Sequence, residues 1–280
     1  MGGPADILAR PEDEYELADI LRYARRQSIP WFVLGGGSNI LVSDRGIRGL
    51  VIDTTALRGC TLGERGLAVG AGMPMSDASA CAADHGLGGL DFVYSMPGTV
   101  GGAVWMNARC YDGEIFDVLE SVTFVEPDGQ TRQYVPRAAD FGYKRSPFMS
   151  RPGVMTSVSF KLGPADPSVL WEKMRAHEAD RRSKGHFDAP CAGSIFKNNR
   201  AFGGPSGAII DRLGLRGFRI GDAKVSDLHA NIVVNAGSAT ASDIRAVIEH
   251  VRREVKLRLG FELEREVIYV GDWLEDDARG

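Results

Sequence analysis

A run of three glycines directly after a short apolar segment constrains this chain more than any other feature of its sequence. The segment Trp31 to Leu34 has the composition of a buried strand, and Gly35-Gly36-Gly37-Ser38-Asn39 follows it. Glycine lets successive backbone N–H groups point at one spot, which is the arrangement that binds a phosphate. By itself, such a run is more often only a tight turn between two strands. This run alone therefore leaves both interpretations open.

The run is not the fingerprint of the common dinucleotide-binding fold. Ile40 stands where the third glycine of that fingerprint belongs, and Ile40 to Val42 has the pattern of another strand where a helix should follow. The lysine of a P-loop is also missing. A nucleotide bound at this run would therefore be held by a different fold.

A second glycine-rich segment lies further along the chain. Ser95 to Ala103 combines a proline with three glycines, and Asn107 follows with an amide that can pair with the edge of a heterocycle. Two loops of this kind, both poorly suited to hairpin turns, indicate a large nucleotide cofactor. The residues predicted to bind it are Gly35, Gly36, Gly37, Ser38, Asn39, Ser95, Pro97, Gly98, Thr99, Gly101, Gly102 and Asn107.

A third segment, Cys191 to Asn198, carries a serine that could act in catalysis. Ser194 lacks the strand-turn-helix elbow motif of hydrolases, so a hydrolytic nucleophile is not indicated. Its hydroxyl can still transfer a proton to a strongly basic, carbanion-like carbon. Without other information, the same segment is equally well interpreted as the beginning of a strand.

Composition excludes several classes of function. The net charge of −4 provides no basic field for nucleic acid, and no apolar run is long enough to span a bilayer. No basic and apolar leader begins the chain, so we expect a cytoplasmic protein without membrane insertion. Its four cysteines are scattered, which argues against a disulfide scaffold or a metal site. Nothing in the sequence indicates an obligate protein partner.

Local signals predict long helices, a hairpin and a C-terminal strand. Apolar spacing, capping residues and terminal glycines carry these predictions. The predicted elements are a helix over Pro11 to Gln27, a hairpin at Pro127-Asp128-Gly129, a helix from Pro167 to Gly185, a helix from Thr240 to Gly260 and a strand over Glu262 to Val270.

Taken in order, the glycine loops and the segments around them resemble the UDP-N-acetylenolpyruvoylglucosamine reductases, FAD enzymes of peptidoglycan precursor synthesis. The chain resembles the shorter type, which lacks a tyrosine-bearing loop. The segments that carry the resemblance are Gly2 to Ala5, Leu34 to Asn39, Met96 to Asn107, Phe141 to Tyr143, Ala192 to Asn198, Val225 to Asn235 and Leu263 to Val267.

The resemblance implies a fold and a division into domains. The fold is α+β, namely the FAD-binding fold of the vanillyl-alcohol-oxidase-like (PCMH-type) flavoenzymes with a second α+β substrate-binding domain. Residues 1–162 would form the FAD-binding region, in two subdomains, and residues 163–260 the substrate-binding domain. Residues 261–280 would form a strand and tail that return to the FAD and active-site region.

The resemblance also implies a reaction and its catalytic residues. NADPH reduces FAD, which then reduces the enolpyruvyl ether of UDP-N-acetylglucosamine enolpyruvate to UDP-N-acetylmuramate. Ser194 matches the family's proton donor, and Glu266 matches a glutamate that stabilises the enolic intermediate together with a basic residue. Lys144 stands where the family usually has arginine, with Arg145 as the alternative. If the segment is extended, only one of these two side chains can face the flavin.

Substrate contacts are implied for four further residues. Lys184 and Asn198 match positions that bind the sugar nucleotide, His229 matches a polar position that reaches the substrate, and Tyr143 lines the pocket. Without the resemblance, Glu266 would be interpreted as a solvated strand residue and His229 as a helix-cap or surface residue.

Two other functions stay open at this point. The chain could be another FAD oxidoreductase on the same fold, such as a sugar or alcohol oxidase, which would reduce O₂ rapidly. It could also be a flavin- or nucleotide-binding module without catalysis, which only the replacement at Lys144 favours.

Overall fold

Capping residues fix the ends of the long helices. The computed structural model describes residues 2–63 and 66–274. In these residues the α-helices are α1 (Glu14–Arg26), α2 (Met75–Asp84), α3 (Val100–Met106), α4 (Pro167–Ser183), α5 (Ser206–Arg212) and α6 (Ala241–Leu259). Asp13 accepts hydrogen bonds from the N–H groups of Tyr15 and Glu16 at the start of α1. Thr240 and Asp243 form a reciprocal capping box at the start of α6, so the predicted long helices are confirmed.

The strands form several small sheets. In chain order they are β1 (Ala5–Ala9), β2 (Trp31–Leu34), β3 (Ile40–Val42), β4 (Ile47–Asp53), β5 (Cys60–Gly63), β6 (Gly66–Gly70), β7 (Leu87–Gly88), β8 (Arg109–Cys110), β9 (Gly113–Glu114), β10 (Leu119–Val125), β11 (Thr131–Tyr134), β12 (Val154–Lys161), β13 (Gly163–Pro164), β14 (Cys191–Ser194), β15 (Arg219–Ile220), β16 (Ala223–Val225), β17 (Ile232–Asn235) and β18 (Ile268–Val270). β10 and β11 form the predicted hairpin, with Gly129 at positive φ between them.

Residues Ile7–Gly36 and Gly49–Ala179 form one unit, called the N-terminal unit below. Its largest sheet has the antiparallel order β11-β10-β12-β6-β5, and α2 and α3 contribute to the core that packs against it. The sequence pattern does not predict α3, because its two glycines disfavour a helix. Burial of Val100 and Val104 in this core outweighs that cost.

Residues Met1–Asp6, Gly37–Arg48 and Asp180–Gly280 form the second unit, called the C-terminal unit. A four-stranded sheet in the order β14-β17-β16-β15 packs against α6, which buries Ile244, Val247 and Val251. β18 pairs in parallel with β3, from Ile268 opposite Ile40 to Val270 opposite Val42. The predicted strand over Glu262 to Val270 is therefore regular over its last three residues.

One boundary between the two units lies between Ala179 and Asp180, whereas the division implied by the resemblance has a boundary after residue 162. The reason is the packing of α4. Its buried residues Leu170 and Met174 contact Ala83 of α2, so most of this helix belongs to the N-terminal unit.

Cys60 of β5 and Cys81 of α2 are joined by a disulfide, which the scattered spacing of the cysteines does not predict. Cys110 and Cys191 keep their thiols. Over the described ranges, every helix is too short or too polar to cross a membrane.

Candidate active site

The two glycine-rich segments meet inside the N-terminal unit. Gly35 and Gly36 follow β2 directly, and a Cβ added to Gly35 would stand 2.5 Å from the Oγ1 atom of Thr99. A Cβ added to Gly36 would stand 2.8 Å from the Cα atom of Gly98. Only glycine permits so close an approach of two backbones. The adjacency is what a nucleotide site shared by both segments requires.

Ser95 gives this place the character of a ligand site. Its backbone has a φ of 60°, in the left-handed region that residues other than glycine rarely adopt. Its Oγ atom is buried and has no hydrogen-bond partner among residues 2–63 and 66–274. An unsatisfied buried hydroxyl costs about 1–3 kcal/mol, which a polar ligand would recover. The residues of the two loops therefore fit a bound dinucleotide.

Three of the predicted cofactor residues have structural roles around α3. The side chain of Thr99 accepts a hydrogen bond from the N–H of Gly102 and caps the helix. A Cβ added to Gly101 would stand 3.1 Å from the Cβ atom of Ala71, so glycine lets α3 pack closely here. The Thr99 side chain therefore has a structural role as the N-cap of α3.

The end of the first glycine run lies in the C-terminal unit and holds the segment of Glu266. The side-chain Nδ2 of Asn39 donates to the backbone oxygen of Glu266 at 3.1 Å, and the N–H of Ile268 donates to the oxygen of Asn39 at 3.1 Å. A Cβ added to Gly193 would stand 3.6 Å from the backbone oxygen of Ser38. Ser38 and Asn39 therefore lie beside the segments of two predicted catalytic residues, Ser194 and Glu266.

Ser194 and Glu266 are brought together by backbone pairing. Ser194 ends β14, and the residue after it, Ile195, accepts hydrogen bonds from the N–H groups of Glu266 at 2.8 Å and Val267 at 3.3 Å. Gly193 has a φ of 70°, and the register of β14 against β17 shifts before Ser194. Such an irregularity re-aims the next side chain. The side chains of Ser194 and Glu266 are both half-buried.

Asn231 fixes this segment, although the sequence analysis assigned it no role. It is buried, its backbone oxygen accepts from the N–H of Ile195 at 2.9 Å, and its side chain binds both backbone groups of Phe196. The available sequence signal was a polar residue flanked by apolar ones, directly before β17. A buried amide that bonds to a backbone in this way sets the position of the strand next to it.

Lys144 lies at the tip of a tight turn, so the condition of an extended segment is not met here. Gly142 and Arg145 exchange backbone hydrogen bonds of 3.0 Å in both directions, which leaves Tyr143 and Lys144 as the central residues. Lys144 has a φ of 54° and is half-buried. Arg145 is exposed, and its Nε atom lies 3.5 Å from the position that a Cβ of Gly142 would take. Alternation of side chains therefore does not decide between Lys144 and Arg145.

The Asn107 side chain is hydrogen-bonded to the protein itself, whereas we expected it to pair with the cofactor. Asn107 is fully buried at the C-terminal end of α3. Its Nδ2 donates to the oxygen of Gly142 at 3.0 Å, and its Oδ1 accepts from the N–H of Phe116 at 3.0 Å. With both ends of the amide engaged, this residue joins α3 to the turn that carries Lys144.

The predicted substrate residues Lys184 and His229 lie together in the C-terminal unit, with His186 beside them. The rings of His186 and His229 are 5.3 Å apart, and the Nζ of Lys184 lies 2.7 Å from Asp180. Burial, with the nearby charge of Arg181, lowers the pKa of His186 to about 4. Burial also lowers the pKa of His229, with Lys184 and Arg216 adding to the effect. These imidazoles are therefore neutral hydrogen-bonding groups beside cationic side chains at neutral pH.

Asn198, the remaining predicted substrate residue of this unit, contacts the first residue of α5. Its Oδ1 accepts a hydrogen bond from the N–H of Ser206 at 2.9 Å, while Lys197 pairs with Glu264 at 2.6 Å. The two bonds anchor the segment after Ser194 on either side.

Two protein-family models match separate ranges of this chain. Residues 5–134 match the model of an FAD binding domain, and residues 185–270 match the C-terminal domain of UDP-N-acetylenolpyruvoylglucosamine reductase. The reductase of Treponema denticola is 41% identical over 98% of this chain and 90% of its own length. That of Borreliella burgdorferi is 39% identical over 97% and 90%. The chain belongs to the UDP-N-acetylenolpyruvoylglucosamine reductase family.

A solved structure of the family agrees with the fold. The crystal structure of the UDP-N-acetylenolpyruvylglucosamine reductase from Thermus caldophilus superposes with a TM-score of 0.77 at 34% identity, covering 94% of this chain and 91% of that one. The predicted family and the predicted α+β FAD-binding fold are thereby confirmed, as is FAD as the cofactor of the family domain.

The sequence analysis assigned no role to two residues near the candidate site, His186 and Asn231. The signal for His186 was its position just after Lys184-Gly185, where a glycine at a φ of 72° follows the end of α4. The signal for Asn231 was its place in the segment Leu228 to Asn231, in which only His229 was singled out.

Proposed function

We propose that this protein reduces the enolpyruvyl ether of UDP-N-acetylglucosamine enolpyruvate to UDP-N-acetylmuramate, a step of peptidoglycan precursor synthesis in the cytoplasm. NADPH is the hydride donor. The observation that carries the proposal is the pairing of the Ser194 and Glu266 segments, beside the end of a glycine loop, in a chain of this family.

The backbone of the two glycine loops would hold FAD through residues that leave room for it. These are Gly35, Gly36, Ser95 and Gly98 in the N-terminal unit, where strain and an unsatisfied hydroxyl fit a polar ligand. Bound FAD supplies hydride transfer from NADPH to the terminal carbon of the enolpyruvyl group.

Ser194 completes the reduction by donating its hydroxyl proton to the neighbouring carbon of the substrate. Hydride addition leaves an electron pair and negative charge on that carbon and its carboxylate, and the new C–H bond takes up the pair. The register shift between Cys191 and Ser194, with Gly193 at a φ of 70°, supports a redirected Ser194 side chain. Solvent then returns the proton to the serine oxygen.

Lys144 and Glu266 stabilise the intermediate in this proposal. Lys144 provides a positive charge for the developing carboxylate enolate, and a point charge serves this purpose without the two-pronged geometry of arginine. The exposed side chain of Arg145, folded over its own turn, favours Lys144 for the role. Glu266 provides a hydrogen-bonding carboxyl group at a fixed position on the segment paired with Ile195.

We assign recognition of the sugar nucleotide to Lys184, Asn198, His229 and Tyr143, and we add His186. The ammonium of Lys184 suits a diphosphate, and neutral imidazoles can donate hydrogen bonds to its oxygens. The lowered pKa values of both histidines support this use.

The test is an anaerobic flavin cycle with the purified holoprotein. NADPH should bleach the yellow flavin absorbance, and the enolpyruvyl sugar nucleotide should restore it under nitrogen. Recovery only when air is admitted would identify an oxidase on the same fold, and no bleaching would identify a binding module. Either result would contradict the proposed function.

A further inference from the structure

The turn that carries Lys144 has a conformation that its surroundings must hold. Lys144 is a non-glycine residue with a φ of 54°, and its turn is only two residues long between the paired residues Gly142 and Arg145. A side chain on such a backbone points in a direction that a relaxed turn would not give it. The bonds that fasten the turn therefore hold the backbone from which the Lys144 side chain extends.

The first of these bonds comes from Asn107. This residue ends α3 in the left-handed conformation, with φ 46° and ψ 60°, and it is fully buried. Its Nδ2 donates to the oxygen of Gly142, the residue that enters the turn, while its Oδ1 is held by the N–H of Phe116. The amide can satisfy both partners in one orientation only.

The second bond comes from Ser146, the residue that follows the turn. Ser146 is 4% exposed, and its Oγ donates to the backbone oxygen of Trp105 at 2.6 Å. Trp105 belongs to the last turn of α3, one residue before the end of the helix. The entry and the exit of the Lys144 turn are thus both fastened to the same helix end.

The other end of α3 lies at the glycine loops. Thr99 caps its N-terminus, and the neighbouring Gly98 is the residue against which Gly36 packs. The seven-residue helix α3 is a rigid spacer. The buried hydrogen bonds at its C-terminal end hold the Lys144 turn in a fixed position relative to the helix. The distance from the cofactor loops to Lys144 is therefore fixed by α3 and two side chains.

We propose that Asn107 and Ser146 are positioning residues that set the location of the Lys144 ammonium for the step in which the substrate is reduced. This inference rests on the role of Lys144 in the proposed function. Neither side chain needs to touch substrate or cofactor to act in this way.

The experiment measures the two half-reactions separately by anaerobic stopped flow. Asn107→Asp keeps the shape, the left-handed conformation and the acceptor for Phe116, but it replaces the donor to Gly142 with an oxygen. Reoxidation by the enolpyruvyl nucleotide should slow by on the order of ten- to a hundredfold, as for a small misplacement of a catalytic group. Reduction by NADPH and flavin content should change by less than about twofold. Equal slowing of both half-reactions would overturn the proposal.

A double-mutant cycle provides the decisive readout. In a Lys144→Ala background Asn107→Asp should have almost no further effect on reoxidation, because no ammonium is left to misplace. The same slowing in both backgrounds would mean that Asn107 acts independently of Lys144. An unchanged rate in Lys144→Ala alone would also overturn the inference, while the flavin cycle would still support the proposed reaction.

Ser146 provides the second arm if Asn107→Asp does not fold. Ser146→Ala removes the bond to Trp105 and should show the same selective slowing, whereas Ser146→Thr keeps a hydroxyl and should recover most of the rate. Loss of flavin in both the Asn107 and the Ser146→Ala proteins would show a purely structural role and overturn the proposal.

Discussion

The side-chain amide of Asn231 satisfies both backbone groups of Phe196. Its Nδ2 donates to the Phe196 oxygen at 2.8 Å, and its Oδ1 accepts from the Phe196 N–H at 3.0 Å. The backbone oxygen of the neighbouring Ile195 accepts a hydrogen bond from the N–H of Glu266. One buried amide thus holds the segment that sets Ser194 against Glu266.

Asn231→Ala should destabilise the protein and slow turnover. It leaves two buried backbone groups unpaired, each at a cost of about 1–3 kcal/mol. Urea unfolding should therefore show a loss of about 2–6 kcal/mol in the free energy of unfolding. The control is Asn199→Ala, which removes an exposed bond to the N–H of Ala201. A loss no larger than that of the control would contradict the assignment.

Ser194→Ala should impair only the second half-reaction. Flavin reduction by NADPH needs no proton from this residue, so its rate should stay unchanged. Reduction of the enolpyruvyl nucleotide should slow by roughly two to four orders of magnitude, the typical effect of removing a general acid. Ser194→Cys should retain more activity than Ser194→Ala. If both half-reactions slow by the same factor in stopped flow, Ser194 is a structural residue.

Substitutions at Lys144 and Arg145 should separate the two candidates for the positive charge. Lys144→Ala should depress substrate reduction severely, Lys144→Arg should be tolerated, and Arg145→Ala should have a mild effect. The opposite ranking of the two alanine variants would transfer the role to Arg145.

The backbone at Lys144 supplies an independent check. Lys144→Gly removes the same charge as Lys144→Ala but suits a φ of 54°. Thermal unfolding should therefore show the glycine variant to be more stable than the alanine variant by about 1 kcal/mol. Equal stability would mean that this turn relaxes in solution.

Protonation of His186 should destabilise the fold at acidic pH. Its pKa of about 4 in the folded protein lies below the ordinary 6.5, so the unfolded chain binds more protons between these values. The contribution of neutral His186 to the free energy of unfolding should therefore be fully present above pH 6.5. It should decrease as the pH falls toward 4, by at most roughly 1.4 kcal/mol per pH unit. His186→Gln should flatten the profile in urea unfolding at several pH values. An unchanged slope would show that His186 does not titrate in this way.

Gly36→Val should lower the FAD content of the purified protein. A Cβ at Gly36 would stand 2.8 Å from the Cα atom of Gly98, so the two glycine loops would have to move apart. The matched control is Gly163→Ala, because nothing lies within 4 Å of a Cβ at Gly163. Flavin absorbance per protein should fall for Gly36→Val and stay full for the control. Full flavin in both proteins would remove the first loop from the cofactor site.

The sequence by itself determined the long helices, the hairpin and the glycine loops. The capping box at Thr240 and Asp243, the positive-φ Gly260 and the turn at Gly129 act within a few residues of the chain, so their signals are local. The candidate site residues could be named from the sequence because the motifs that carry them follow one another in the same order as in the family.

Only the tertiary structure decided which of these residues meet and how they are held. The contact of Gly36 with Gly98, the bonds of Asn107 and Asn231 and the short β18 all depend on groups distant in sequence. β18 is regular only over the three residues that pair with β3. The left-handed conformation of Lys144 goes against local preference, and no propensity predicts it. Long-range packing and buried hydrogen bonds override local preference at such positions, and they leave no periodic trace in the sequence.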